Sequence, residues 1–155
     1  MSKNPELMRY QTDRFSSALC LVAIALNACF LISIYSNKNF TPDIQLGADV
    51  LFNIIFMMVV FLISEKVKIY SISANLAAFA LGGVQLLRTG WLPEKYLAAG
   101  SMIDSVRLIA EFNVYYLIVS WLHLSALCLA AAGVIGFIKS ARLRAHMKKQ
   151  ERSAS

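Results

Sequence analysis

Apolar residues fall into four runs, about 17–36, 47–64, 69–87 and 115–138, separated by short polar stretches. A helix rising 1.5 Å per residue needs roughly 20 mainly apolar residues to cross a ~30 Å hydrocarbon core. All four runs approach that length. The pattern predicts an all-α membrane protein, a four-transmembrane-helix up-down bundle. The chain then divides into an N-terminal arm (1–16), a four-helix transmembrane domain (17–138) and a tail (139–155). With 58% hydrophobic residues against 15% charged, the composition excludes an ordinary soluble domain of 155 residues.

The breaks between runs are uneven. In the arm, Asn4 caps and Pro5 opens a short helix whose Leu7, Met8 and Phe15 rest at the headgroups. Thr41-Pro42-Asp43 reads as a turn followed by a helix start. Glu65-Lys66-Val67-Lys68 is so short a loop that the second and third spans form an antiparallel hairpin. Thr89-Gly90-Trp91-Leu92-Pro93 is expected to break the third helix. From Ser101 nothing breaks helix until the tail. Asp104, Arg107 and Glu111 share one face, and Ile103, Val106 and Ile109 another. The fourth helix is therefore expected to start outside the membrane near Ser101 and run beyond Arg144, more than ~60 Å. The alternative is a separate interfacial helix ending near Phe112-Asn113.

Charge sets the orientation. Eleven of the fifteen Lys and Arg residues lie in the arm, the 65–68 loop and the tail. An even number of spans puts those three segments on one side, and short basic segments stay cytoplasmic. The expected arrangement is N-in/C-in, in a membrane taken to be the bacterial inner (plasma) membrane. Trp91 and Tyr35 at the outer ends, and Tyr70 at an inner end, suit an aromatic belt. Leu26-Asn27-Ala28-Cys29 resembles a bacterial lipobox over four residues, but departs from it at Asn27. The apolar run also continues through Phe30-Leu31-Ile32-Ser33-Ile34, so the first run is expected to remain as an uncleaved span.

Small residues recur with the helical period: Ala18, Ala25, Cys29 and Ser33 in the first span, and Ser73, Ala77 and Ala80 in the third. The fourth has Ala126, Ala130, Gly133 and Ser140. Such faces let helices approach closely in lipid. The Ala126/Ala130/Gly133 face is the candidate packing or partner surface, and the fourth helix the most central one.

Chemistry, if present, resides in a polar cluster. Gln45, Asp49 and Asn53 step by four along the second span. Gln85 and Arg88 end the third, Ser120 and His123 enter the fourth, and Asn27 lies mid-way along the first. Buried ionisable groups in a membrane are costly and often functional. An Asp49–His123 carboxylate–imidazole pair would carry a proton or hold a cation. The plainer readings are that Asp49 reaches the headgroups, that His123 bonds between helices, that Arg88 with Trp91 is an interfacial anchor, and that Asn27, Asn53 and Gln85 are packing glue.

Other chemistries lack residues. Cys20, Cys29 and Cys128 form no C-x-x-C pair, and the two histidines, His123 and His146, are far apart. No H-E-x-x-H, G-x-S-x-G or G-x-x-x-x-G-K-[ST] occurs. No catalytic residue, metal or cofactor is expected. The basic tail is suited to anionic lipid through Lys139, Arg142, Arg144, Lys148 and Lys149. Without aromatic stacking residues it gives no support for nucleic acid as a partner. Partners are expected to be membrane lipids and either another membrane protein or a second copy.

Two functions follow. The first is a non-enzymatic accessory or assembly subunit of a larger membrane complex, possibly a transporter. The second is a small oligomeric solute or ion transporter that uses the polar cluster.

Overall fold

The computed structural model describes residues 12–36, 44–97 and 105–154. The arm before Thr12, the first loop and Asp104 lie outside the described residues. So do the side chains of Tyr35, Gln45, Trp91, Arg107 and Glu111, and those of Ile103, Val106 and Ile109. The described chain is all helical: α1 (Arg14–Ser36), α2 (Ile44–Lys68), α3 (Ile72–Leu97) and α4 (Ser105–Ala154). Three stretches are long and apolar enough to cross a membrane: Arg14–Ser33, Gly47–Lys68 and Val119–Gln150. The third expected span, now within α3, is not among them, because Asn75, Gly82, Gly83, Gln85 and Arg88 dilute it.

Each helix packs on its two neighbours in a ring, α1 on α2, α2 on α3, α3 on α4 and α4 back on α1. Successive helices run in opposite directions. The start of α1 meets the end of α2, where Asp13 N–H donates to the Lys68 carbonyl at 2.9 Å. The start of α3 meets the later part of α4, where Asn75 Nδ2 donates to Ser140 Oγ at 2.9 Å.

Two helix ends differ from those expected. The charged segment 65–68 is the last turn of α2 rather than a loop. Lys66 and Lys68 face the negative end of the helix dipole, and Lys68 pairs with Glu65, so charge here favours helix. The turn is Ile69-Tyr70-Ser71. Tyr70 adopts φ 56°, and its N–H donates to Val67 O at 3.1 Å while Ser71 N–H donates to Lys66 O at 3.3 Å. That pairing is a Schellman cap with tyrosine where glycine is usual. At the other end, α3 continues through Thr89–Pro93 to Leu97. No described glycine has positive φ, so Gly90 makes no turn, and Thr89 Oγ1 is spent on Leu86 O at 2.7 Å within the helix. Pro93 removes one hydrogen bond without ending the helix.

From Ser105 onward α4 is a single helix of 50 residues, about 75 Å at 1.5 Å per residue. Its seam with α3 is tight. A Cβ on Gly133 would lie 2.7 Å from Asn75 O and Phe79 N, and one on Gly82 would lie 2.9 Å from Ala126 O. A Cβ on Gly136 would collide with Asn75 Oδ1. Ala126 and Gly133 are buried and Ala130 half-buried, so this small-residue face is occupied by α3.

The small faces assigned to the other two spans are only partly turned inward. Ala18, Ala25, Ser73 and Ala80 are exposed and Cys29, Ser33 and Ala77 half-buried, while Cys20 and Ala23 on α1 and Ala74 and Ala78 on α3 are buried. A small side chain facing lipid costs little, so smallness alone does not choose a face. Polarity does. Asn27, Asn53, Asn75, Gln85 and Ser125 are fully buried while Ile32, Leu51, Met58, Leu62, Phe79 and Leu127 are more than half exposed. Water would favour the reverse distribution.

Candidate functional site

The polar interior lies in layers along the bundle, separated by an apolar one. The apolar layer is Cys20, Ala23, Phe56, Val60, Leu129 and Ala132, all buried. It sits between an inner polar cap and a mid-bundle network.

The inner cap centres on Asp13, a residue that sequence reading passed over. Asp13 caps α1: its Oδ1 accepts from Ser16 N–H at 3.3 Å and its Oδ2 from Ser16 Oγ at 2.7 Å. Lys139 Nζ on α4 donates to Asp13 Oδ1 at 2.7 Å and lies 5.5 Å from the centre of the Phe15 ring. The carboxylate is 3% exposed. Burial raises its pKa, but the hydrogen bonds from Lys139 and Ser16 and the lysine charge outweigh burial, leaving it below the ordinary carboxylate value. Nearby, burial and the Asp13 charge both push the Tyr70 phenol up. Lys139, expected at the lipid headgroups, is thus committed to a carboxylate. The available signal was Asp13 followed by Ser16, three positions on, at the start of an apolar run.

The middle network joins three helices. Asn27 Nδ2 on α1 donates to Ser125 Oγ on α4 at 2.6 Å and to Ala23 O at 2.9 Å. Gln85 Nε2 on α3 donates to Asn27 Oδ1 at 2.9 Å, and Ser125 Oγ donates to Ala23 O at 3.1 Å. Gln85 Oε1 is buried without a partner. An amide in the bundle interior gains more from a helix–helix bond than it would facing lipid, about 0.6–2 kcal/mol each.

The outer layer centres on Arg88. Its guanidinium donates to Asn53 Oδ1 at 2.7 Å and to Asp49 O at 3.5 Å, and lies 3.6 Å from Asp49 Oδ1. The rings of Phe52 and Phe30 are centred 4.7 and 5.3 Å away. Arg88 is therefore turned into the bundle, gripped by a carboxylate, an amide and two aromatic faces.

His123 Nε2 lies 3.3 Å from Thr89 Oγ1, and its Nδ1 lies 3.0 Å from Val119 O. The ring is exposed. Of the expected cluster, then, the structure joins Asn27 to Gln85 and Asp49 and Asn53 to Arg88. His123 meets Thr89 instead, and the Asp49–His123 pair does not form: the carboxylate faces Arg88. Ser125, Thr89 and Asn75 complete these layers and were not singled out from sequence. Ser and Thr carry no hydropathy signal against an apolar run, whereas Asn75, an amide inside the third run, carried the same signal as Asn27 and was overlooked.

Among the described residues no three His, Cys, Asp or Glu side chains converge on a metal-sized space. The three cysteines are free thiols, with Cys20 fully buried. Chemically the layers do one thing well: they tie helices to one another with every strong charge compensated. In comparisons with protein families, curated proteins and solved structures, nothing matches the chain significantly.

Proposed function

We propose that this chain is a non-enzymatic four-span membrane protein that serves as an accessory or assembly subunit of a larger membrane complex. The observation that carries the reading is the division of labour between bundle and long helix. Polar side chains inside the bundle are spent on helix–helix ties: Asn27–Gln85–Ser125, Asn53–Arg88–Asp49 and Asp13–Lys139. Meanwhile α4 outruns the bundle and continues as helix to Ala154. A static bundle that presents one long helix is suited to holding a partner.

The four-span arrangement includes α3. Its polar residues Asn75 and Gln85 are fully buried, while Leu76, Phe79, Val84, Leu86 and Leu87 are exposed. What lipid meets is apolar, although the average over the helix is not. The basic ends support both termini being cytoplasmic, since Arg14, Lys66, Lys68 and the tail gather at one pole. Arg142 and Arg144, two and four residues beyond Ser140 and so about 3 and 6 Å further along the axis, sit at headgroup level in this reading.

The test is purification of the tagged protein from its native membrane in mild detergent, with stoichiometry read by quantitative mass spectrometry. The reading expects a membrane partner near one-to-one, retained in Asp49→Asn. Recovery as a homo-oligomer alone, with solute flux into liposomes that Asp49→Asn abolishes, would favour a transporter instead.

A further inference from the structure

Three contacts in the outer layer dictate where protons sit. His123 Nδ1 lies 3.0 Å from Val119 O, and its Nε2 lies 3.3 Å from Thr89 Oγ1. Thr89 Oγ1 in turn donates to Leu86 O at 2.7 Å. A backbone carbonyl only accepts, so Nδ1 carries a hydrogen in every state that keeps its contact. Thr89 has a single hydroxyl hydrogen to give. While that hydrogen is on Leu86 O, Thr89 Oγ1 can only accept from His123, and Nε2 carries a hydrogen as well. Such a ring is an imidazolium.

A neutral ring satisfies the same atoms in one other way. Nε2 becomes an acceptor, and the Thr89 hydroxyl turns from Leu86 O to donate to it. Leu86 O is not orphaned, because the helix supplies it with the N–H four residues on, that of Gly90. Adding a proton at Nε2 reverses the Thr89–His123 bond and returns the hydroxyl to Leu86 O. In both states every donor meets an acceptor, so the tie of α3 to α4 survives the change. The shorter contact to Leu86 and the longer one to His123 match the charged state.

Access and surroundings suit a proton-sensitive pair. The His123 ring is exposed and lies four residues, about 6 Å, past Val119, where the apolar stretch of α4 begins. A proton reaches it without crossing the bundle. Among the described residues, the titratable or charged groups that α3, α4 and α1 bring to this level are Arg88, Tyr116, Cys128 and Cys29. Arg88 is turned inward to Asp49 and Asn53 on α2, where its charge is compensated. The tyrosine and the thiols bring no positive charge in any state.

We propose that Thr89 and His123 form a proton-linked switch between α3 and α4. With the ring neutral, hydrogen sits on Nδ1 and Thr89 donates to Nε2. With it charged, Nε2 donates to Thr89 and Thr89 donates to Leu86 O. In acid the outer part of the bundle gains one positive charge while the two helices stay joined. This switch needs no partner, so it stands apart from the assembly reading.

The test is nuclear magnetic resonance of the isotope-labelled full chain in phosphatidylcholine nanodiscs, with His146→Gln so that His123 is the only histidine. In alkaline buffer the ring nitrogens are expected to show the Nδ1–H form, against the Nε2–H form that free imidazole side chains favour. On acidification a proton adds at Nε2. The Leu86 carbonyl resonance should shift with the same midpoint, as that oxygen regains the hydroxyl. Thr89→Val, which lacks the hydroxyl, should abolish the Leu86 shift while His123 still titrates, and Thr89→Ser should retain it.

A neutral ring in the Nε2–H form would overturn the proposal, since Nε2 could not then accept from Thr89. So would a Leu86 resonance that ignores the His123 titration in the parent chain, or one that follows it equally in Thr89→Val. The first two readouts use no Thr89 variant, so they decide the matter even if Thr89→Val fails to fold.

Discussion

At the residue scale, the side chains that matter most for integrity are those whose polarity is hidden. Asp13 caps α1, holds Lys139 and is 3% exposed. Losing a helix cap costs about 1 kcal/mol, and losing a hydrogen bond to a charged group about 1.5–3. Asp13→Ala is therefore expected to destabilise by about 2–4 kcal/mol in detergent unfolding. The pH dependence has a definite sign. With the folded carboxyl held below its ordinary value, its contribution is complete above about pH 4 and is lost as pH falls through the folded pKa. Thermal unfolding of Asp13→Asn should accordingly show a shallower decline on acidification than the parent, with the two curves parallel at neutral pH. Tyr70 makes a second, opposite case. At φ 56° it pays about 1–2 kcal/mol for the left-handed backbone. Tyr70→Gly removes that strain but loosens the unfolded chain, so its unfolding midpoint should stay near the parent's. Tyr70→Val, β-branched at the same φ, should lower it clearly.

The same residues show how far sequence reading reaches. Asn27, Asn53 and Gln85 stood out because an amide inside an apolar run must find a partner, and the structure gives each one. Arg88 was read as an interfacial anchor, since arginine beside tryptophan at a span end suits that role. Its turn inward depends on Phe30, Phe52 and Asp49 converging from two other helices, which no local pattern encodes. Asp13 was missed because a carboxylate beside a basic arm looks solvated until Lys139, 126 positions away, is seen beside it.

At the element scale, helix ends were read poorly by both signals, since the Gly90 and Pro93 break proved to be helix and the charged 65–68 loop the last turn of α2. The cap at Tyr70 needs a left-handed residue, and nothing in tyrosine announces one. α4, by contrast, was legible as one long helix because nothing in its sequence breaks it. The α3–α4 seam provides the sharpest test of packing. A Cβ at Gly133 would lie 2.7 Å from backbone atoms of α3, which cannot rotate away, whereas Gly83 has nothing within 4 Å. Gly133→Ala should cost about 1–3 kcal/mol by overpacking, and Gly83→Ala should be neutral or stabilising by up to about 1 kcal/mol through helix propensity. Circular dichroism melts of both variants in one detergent would check the order. Equal effects would remove the close seam from the account.

For the whole molecule, class came from length and composition, while the count of crossings turns on α3. Averaged along its length α3 falls short of the apolarity that marks α1, α2 and α4. Its burial pattern nonetheless puts Asn75 and Gln85 inside and leucine, phenylalanine and valine outside. Hydropathy read along a chain cannot tell which face of a helix meets lipid, which is why the third run looked like a span and then narrowly failed as one. If α3 crosses, the chain crosses four times and its ends share a side. If it lies outside the core, the three remaining crossings put the ends on opposite sides.

The most direct measurement is therefore labelling of single added cysteines, Ser2→Cys, Lys38→Cys and Ser153→Cys, by a membrane-impermeant maleimide in intact and permeabilised cells. The native cysteines lie within apolar helices. The account predicts that Lys38→Cys labels in intact cells and that Ser2→Cys and Ser153→Cys label only after permeabilisation. Labelling of one terminus but not the other in intact cells would contradict it, and with it the crossing of α3.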